Sequence, residues 1–340
     1  MTLPGIDLDA VRACLDRERP GLVAGPLAAD LIAGGRSNLT YRLTDGVHRW
    51  VLRRPPLGHV LATAHDMARE HRVISALAGS PVPVPETVLL CTDSAVLGAP
   101  FYVMANVPGV VLRGQEDTTR LGPQRARAVS HALIDVLADL HTLDPAAVGL
   151  ADFGRPEGYL ARQVARWRKQ LDASRSRDLP GVDELHARLA AAIPPSARAS
   201  IVHGDYRLDN VLVDPTAPRI TAVLDWEMAT LGDPLADLGL FVVYWDDSHG
   251  AVDVVTGSAT NAPGMPAADD LVRRYAERTG TDVSGLSWYV AFAKFKLAVV
   301  LEGIHYRHAQ GRTVGTGFDR IGEHVPGLVA GGLSTLDEEA

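Results

Sequence analysis

Between Ile201 and Trp226 the chain reads IVHGDYRLDNVLVDPTAPRITAVLDW, and three polar residues in it stand where they could do chemistry. Asp205 follows an apolar approach (Ile201, Val202), Asn210 stands five residues later, and Asp225 ends the second of two short β-like runs. Those runs, Val211 to Val213 and Ile220 to Leu224, flank a turn over Asp214 to Arg219. A carboxylate, an amide and a second carboxylate thus sit at the ends of neighbouring hairpin strands, where they can converge. Phosphoryl transfer needs this set: one group to orient an acceptor hydroxyl and two oxygen ligands to hold Mg²⁺ against nucleotide phosphates. Such residues also cap ordinary turns, but their order between two apolar strands favours the chemical reading.

The spacing Asp-x-x-x-x-Asn matches the kinase catalytic loop, and Asp225 stands where the metal-binding Asp of D-F-G would stand. The His203-Gly204-Asp205 form resembles the aminoglycoside phosphotransferase and choline kinase superfamily rather than the protein kinases. The string HGDYRLDN, followed by LDWEMATLGDPLADLG, looks like the branch whose phosphotransferase domains occur alone in bacteria or fused ahead of acyl-CoA dehydrogenases. The resemblance covers residues 22 to 325 and implies an α+β, two-lobed protein kinase-like fold with ATP and Mg²⁺ in the cleft. It implies an antiparallel-sheet N-lobe over 22–104, a hinge over 105–109 and a mostly helical C-lobe over 110–330. Residues 1–21 read as an N-terminal extension and 331–340 as a disordered tail.

The same resemblance gives the site residues their expected roles. Asp205 accepts or orients the hydroxyl proton, and Asn210 and Asp225 hold Mg²⁺. Arg207, where protein kinases place a lysine near the transferring phosphate, neutralises charge that develops there. Two departures stand out. Gly204 replaces the arginine that grips a phosphorylated activation loop, so no switch of that type is expected. Trp226-Glu227 replaces Phe-Gly and leaves the carboxylate intact.

The elements that must position these groups are legible upstream. Leu27 to Arg54 reads as a three-stranded meander with a tight turn at Asp45-Gly46. Its first loop, GGRSNLTY, offers paired glycines for close backbone approach, with Ser37 and Asn38 as phosphate donors beside Gly35. A glycine-rich hairpin loop can equally be structural. The third strand, WVLRR, carries two arginines that alternation sends to opposite faces; Val51 shares a face with Arg53, so Arg53 is the expected phosphate-binding cation. Glu70, on a helix over Ala64 to Leu77, resembles the glutamate that pairs with that cation. Strands follow at TVLLC (87–91) and FYVMANV (101–107), with a turn at Ser94 to Ala99. Met104, Ala105 and Val107 then fall where the superfamily binds adenine to hinge backbone groups.

Downstream the pattern is helical. Gln124 to His141 is amphipathic, with His131 and His141 read as packing or surface residues. A helix over Pro156 to Asp172 carries Arg162, Arg166, Arg168 and Lys169, either a solvated face or an anion-binding wall beside the acceptor. Asp233-Pro234 reads as N-cap and first residue of a buried helix. Asp237 on that helix is costly unless hydrogen-bonded, and the resemblance suggests that it braces the catalytic loop. Residues 246 to 266 read as a loop, Ala267 to Arg278 and Trp288 to Gln310 as helices. On the last of these, Lys296, Glu302, His305 and Arg307 read as surface or packing residues, with contact to an acceptor as the alternative for some of them.

Composition sets bounds on function. With 340 residues, 46% of them hydrophobic and 22% charged, the chain is globular material for two lobes. A formal charge of −8 argues against a nucleic-acid partner. Two cysteines, Cys14 and Cys91, have no metal or disulfide spacing, as suits a reducing compartment. With no leader and no membrane-length apolar run, a cytoplasmic protein without a membrane partner is expected. The expected function is transfer of the γ-phosphate of ATP to a hydroxyl of a small molecule, a hydroxyacyl-CoA or another anionic acceptor. The alternatives are an aminoglycoside- or choline-type kinase, and a nucleotide-binding pseudokinase regulator without turnover.

Overall fold

A computed structural model describes residues 3–32, 38–57, 65–196, 198–246, 258–311 and 318–338. Its chain falls into two units, Met1–Gly109 with Thr221–Ala229, and Val110–Ile220 with Thr230–Ala340.

In the first unit, β1 (Ala28–Leu31), β2 (Leu39–Thr44), β3 (Arg49–Arg54), β4 (Thr87–Cys91) and β5 (Phe101–Ala105) form an antiparallel sheet in the order β1-β2-β3-β5-β4. The β2–β3 turn is built by the Asp45 carboxylate, which accepts the amides of Val47 (2.9 Å) and His48 (2.6 Å). Pleating sends Trp50 and Leu52 to a core shared with Val11, Cys14 and Leu15 of α1 (Leu8–Glu18). The segment read as an N-terminal extension is therefore part of this unit. Val51 and Arg53 face the other way, toward α2 (Met67–Leu77), whose N-cap is Asp66. Arg54, on the first face, donates to the carbonyls of Gly5 and Leu97. Residues Ser94–Leu97, expected as a turn, close one turn of helix, α3.

The stretch 221–229 also belongs to this unit, against its expected place in the C-lobe. The reason is local bonding: Val223 N–H donates to Pro83 O (2.8 Å), Thr221 Oγ1 to Pro108 O (2.9 Å), and Arg69 Nη2 to Ala229 O (3.1 Å).

The second unit is mostly helical. It contains α4 (Gln115–Thr119), α5 (Pro123–Thr142), α6 (Tyr159–Ser174), α7 (Val182–Ala191), α8 (Pro234–Trp245), α9 (Ala268–Thr279), α10 (Leu286–Ala309) and α11 (Val325–Asp337). β6 (Ser200–Val202) pairs antiparallel with β9 (Thr230–Gly232), so the strand entering the Asp205 loop is anchored beside the start of α8. β7 (Val211–Val213) follows that loop, and β8 (Ile220–Val223) returns the chain to the first unit. α10 packs against α6, α7, α8 and α11.

Residues 331–337 are helical rather than disordered. Val325, Leu328, Val329 and Gly332 bury one face of α11. Lys294 Nζ donates to Gly331 O (3.2 Å) and Thr335 Oγ1 (2.8 Å), and Arg188 pairs with Asp337 (2.7 Å). The polar spelling STLDEEA hides this, because its contacts come from distant helices.

The α8–α10 contact depends on Gly239, where an added Cβ would lie 2.7 Å from the Tyr289 carbonyl carbon. Backbone cannot yield there as a side-chain tip would. Gly239→Ala is expected to cost about 1–3 kcal/mol by overpacking, measured by denaturant unfolding; an unchanged midpoint would show that α8 and α10 can separate freely.

Candidate active site

The Asp205 loop leaves β6 and turns at Gly204, whose φ of +83° lies in the left-handed region that glycine enters without steric cost. Asp237, one turn into α8 and 3% exposed, accepts the backbone N–H of His203 (2.5 Å) and of Gly204 (2.8 Å). His141 Nε2 stands 3.3 Å from the same carboxylate, and its Nδ1 meets the Tyr275 hydroxyl at 2.8 Å. Burial pushes the Asp237 carboxyl up, but His141, His203 and the Gly204 amide outweigh it and hold the group below the ordinary carboxylate range. His141, expected as packing, is therefore part of the brace.

Asp205 is then dressed with donors. Tyr244 Oη, two turns after Asp237 on α8, donates to Oδ1 (2.7 Å), and Asn210 Nδ2 donates to Oδ2 (3.0 Å). The Asn210 amide also donates to Asp205 O (2.8 Å), which fixes the spacing of the two residues. Arg207 Nε lies 3.4 Å from Oδ2, and its guanidinium sits over the Tyr244 ring at 5.2 Å. Burial raises the Asp205 pKa, yet Arg207, Lys296 and the Tyr244 hydroxyl together bring it below its usual value. Asp205 is thus an ionised acceptor at neutral pH.

Lys296 of α10 completes this cluster, donating to Gly204 O at 2.7 Å. Its ammonium lies over the Trp167 ring of α6 at 5.6 Å. Burial lowers the Lys296 pKa and the nearby Arg166 lowers it further, while Asp205 and Asp237 raise it; the net direction is down. Asp209 shares Arg207 with Asp205, its Oδ1 being 3.1 Å from Arg207 Nε. Burial drives the Asp209 carboxyl up to about 6, against the pull of Arg207.

In the first unit a second cluster forms around Arg53. Its Nε lies 3.1 Å from Glu70 Oε1, its Nη2 pairs with Asp225 Oδ1, and Glu227 Oε2 is 3.7 Å away. Glu70 is 1% exposed; burial pushes its carboxyl up to about 7, and Arg53 restrains that rise. Burial opposes the Arg53 charge, but Glu70 and Asp225 raise its pKa above the ordinary arginine value. Asp225 has φ +65°, the left-handed region that costs a non-glycine residue about 1 kcal/mol or more. The next residue, Trp226, is buried and donates from Nε1 to Val223 O (3.0 Å).

Asn38 donates to Glu227 Oε2 (2.9 Å) and meets His65 Nδ1 through Oδ1 (2.8 Å), so its amide is engaged within the protein. Gly35 and Ser37 lie outside the described residues, as does Ala64. Met104 is buried in β5, and Ala105 N–H is committed to Glu86 O (2.8 Å), which leaves that donor unavailable to a nucleobase. Val107 is half-buried beyond the end of β5.

Sequence reasoning missed Tyr244, His141, Lys296 and Asp209 as members of the site. Two signals were present. Tyr244 is the polar-tipped residue two turns from Asp237 in an apolar helix, and Lys296 is a cation set among Phe292, Phe295 and Val299.

Comparisons with known proteins give the family and the fold. The family model described as "Phosphotransferase enzyme family" matches residues 29–271. Acyl-CoA dehydrogenase family member 11 of Gallus gallus is 35% identical over 322 residues, covering 92% of this chain and 41% of that protein. The chain therefore spans about two fifths of the length of that relative. A solved structure from Ralstonia eutropha, provisionally described as an aminoglycoside phosphotransferase, is 35% identical and superposes with a TM-score of 0.84, covering 98% of both chains. The aminoglycoside phosphotransferase APH(4)-Ia, solved as a ternary complex with AMP-PNP and hygromycin B, shares the fold at TM-score 0.61 and 19% identity, covering 96% of this chain and 98% of its own.

The raised Asp209 pKa makes a stability prediction. The folded state prefers the neutral acid, so the charged form destabilises it above about pH 6, and the cost fades as pH falls toward the unfolded value near 3.8. Asp209→Asn is expected to stabilise the protein by roughly 2–3 kcal/mol at pH 8 and hardly at all at pH 4, read as melting temperature against pH. A destabilised variant at pH 8 would show that the Arg207 attraction dominates instead.

Proposed function

We propose that this chain, which belongs to the phosphotransferase enzyme family, moves the γ-phosphate of ATP to the hydroxyl of a small anionic acceptor, with hydroxyacyl-CoA as the acceptor class. The observation that carries the reading is the ionised Asp205, held on a braced loop with its two oxygens met by Tyr244 and Asn210.

In this reading the acceptor hydroxyl donates its hydrogen bond to Asp205. As the acceptor oxygen bonds to the γ-phosphorus, the bond to the β–γ bridging oxygen breaks, ADP leaves, and the hydroxyl proton passes to Asp205 and on to solvent. A carboxylate with a depressed pKa is a weak base, which suits a loose transition state whose demand is positioning. Arg207, 15% exposed and already facing Asp205, is placed to offset charge on the transferring group. Arg53 is the corresponding cation of the first unit.

The donor chemistry also fits Mg²⁺, which takes hard oxygen ligands. Asn210 spends its amide nitrogen on Asp205, leaving its carbonyl oxygen for a cation, and Asp225 offers a carboxylate that is 28% exposed. Held by such oxygen ligands, Mg²⁺ would screen the phosphate charges.

Support for the acceptor class comes from α6 and from the likeness to an acyl-CoA dehydrogenase family member, of which this chain spans 41%. Of the basic residues on that helix, Arg168 is neutralised by Asp172 (3.0 Å) and Asp183 (2.6 Å), and Arg162 donates to the carbonyls of Arg155 and Glu157. Arg166 is exposed, 5.7 Å from the Trp167 ring, and near enough to Lys296 to lower its pKa. A cation so placed favours an anion and opposes a polycationic antibiotic.

Mg²⁺-dependent ATP consumption by the full chain, run against hydroxyacyl-CoAs, amino alcohols, sugars and aminoglycosides, tests the reading. Turnover with the hydroxyacyl-CoAs is expected, falling by about 10²–10⁴ in Asp205→Asn; wild-type turnover in that variant would remove Asp205 from the chemistry. Arg166→Glu is expected to raise the KM for the acyl-CoA about tenfold with KM for ATP unchanged. A preference for aminoglycosides, or an Arg166→Glu variant with unaltered KM, would overturn the anionic acceptor.

A further inference from the structure

Gly204 lies between two peptide groups, and both are tied down by side chains. The peptide before it gives its N–H to Asp237 of α8 at 2.8 Å. The peptide after it, which joins Gly204 to Asp205, gives its carbonyl to Lys296 of α10 at 2.7 Å and its N–H to His203 Nδ1 at 3.2 Å. The direction of the Asp205 side chain is set by that second peptide. Glycine is the residue for which a rotation of the following peptide meets least steric resistance, so at this point the backbone itself offers little restraint. The restraint comes from the two hydrogen bonds, and the one from Lys296 is shorter and charge-assisted.

The surroundings of Lys296 suit a fixed donor. Its ammonium is held over Trp167 on one side and meets Gly204 O on the other. Among the described residues it makes no direct ion pair, although Asp205 and Asp237 both lie within electrostatic reach. A lysine kept for packing alone would leave its three donors to solvent; this one is directed at a single carbonyl of the functional loop.

We infer that Lys296 is a positioning residue, clamping the Gly204–Asp205 peptide from α10 as Asp237 clamps the preceding peptide from α8. The inference rests on the phosphotransfer reading for what the loop does, and on the hydrogen bonds alone for how it is held. A methionine at 296 would keep the stem volume but supply no donor. An arginine would restore both donor and charge.

The test compares Lys296→Met and Lys296→Arg in the full chain, by steady-state kinetics, thermal melting and amide hydrogen exchange. Lys296→Met is expected to lose about 10–100-fold in kcat, with KM for ATP unchanged and a melting temperature near that of the wild type. The amides of Gly204 and Asp205 exchange faster in it, and Lys296→Arg recovers most of both losses. Unchanged kcat and exchange in Lys296→Met would overturn the inference. So would equal impairment of both variants together with lowered melting temperatures, which marks a packing role. Exchange needs no turnover, so faster exchange in Lys296→Met beside an inactive wild type upholds the clamp and removes the kinase reading instead.

Discussion

Two backbone amides converge on one buried carboxylate, and the rest of the site depends on that meeting. A carboxylate as enclosed as Asp237 is expensive unless several donors satisfy it. Here the amides of His203 and Gly204 and the ring of His141 do so, with Tyr275 orienting that ring. The exchange works in both directions: the loop stabilises the charge, and the charge fixes the loop. Because Asp237 stands one turn into α8 and Tyr244 two turns further on, the same helix face sets the backbone and then meets Asp205. β6 and β9 supply the entry strand, and α10 supplies the opposite hold through Lys296.

Within each unit the candidate site carboxylate stands beside a donor. Asp205 has Arg207, Asn210 and Tyr244, and Asp225 has Arg53. Arg53 is shared with Glu70, a residue so deeply buried that its own ionisation is disfavoured. Arg207 is shared with Asp209, with the same result. Each cation is thus shared between two acids, one of which has its pKa raised by burial.

Much of the fold could be read in the sequence, and the reason differs between elements. Strong periodicity marked α5, the Asp45-Gly46 pair marked the β2–β3 turn, and the Asp233-Pro234 start of α8 is observed with Asp233 accepting from Leu235 (2.9 Å). Alternation alone separated Arg53 from Arg54, whose side chains do go to opposite faces. α7 was missed although Val182, Leu185 and Leu189 recur at helical spacing, and the end of α11 because its contacts come from distant helices, as with Arg188 and Asp337. The place of 221–229 in the first unit was missed for the same reason, since its partners are Pro83, Pro108 and Arg69. At the site, motif spacing pointed to Asp205, Asn210 and Asp225. It had nothing to say about Lys296 and His141, which act through backbone or through another side chain and belong to no motif.

The central claim is that phosphate moves from ATP to an acceptor hydroxyl. ³¹P NMR of the full chain with Mg²⁺, ATP and a hydroxyacyl-CoA tests it most directly. The account predicts a new phosphomonoester resonance, coupled to the proton on the carbinol carbon and growing with that of ADP. Loss of ATP to inorganic phosphate alone, or unchanged ATP while the same sample phosphorylates an aminoglycoside, would contradict it.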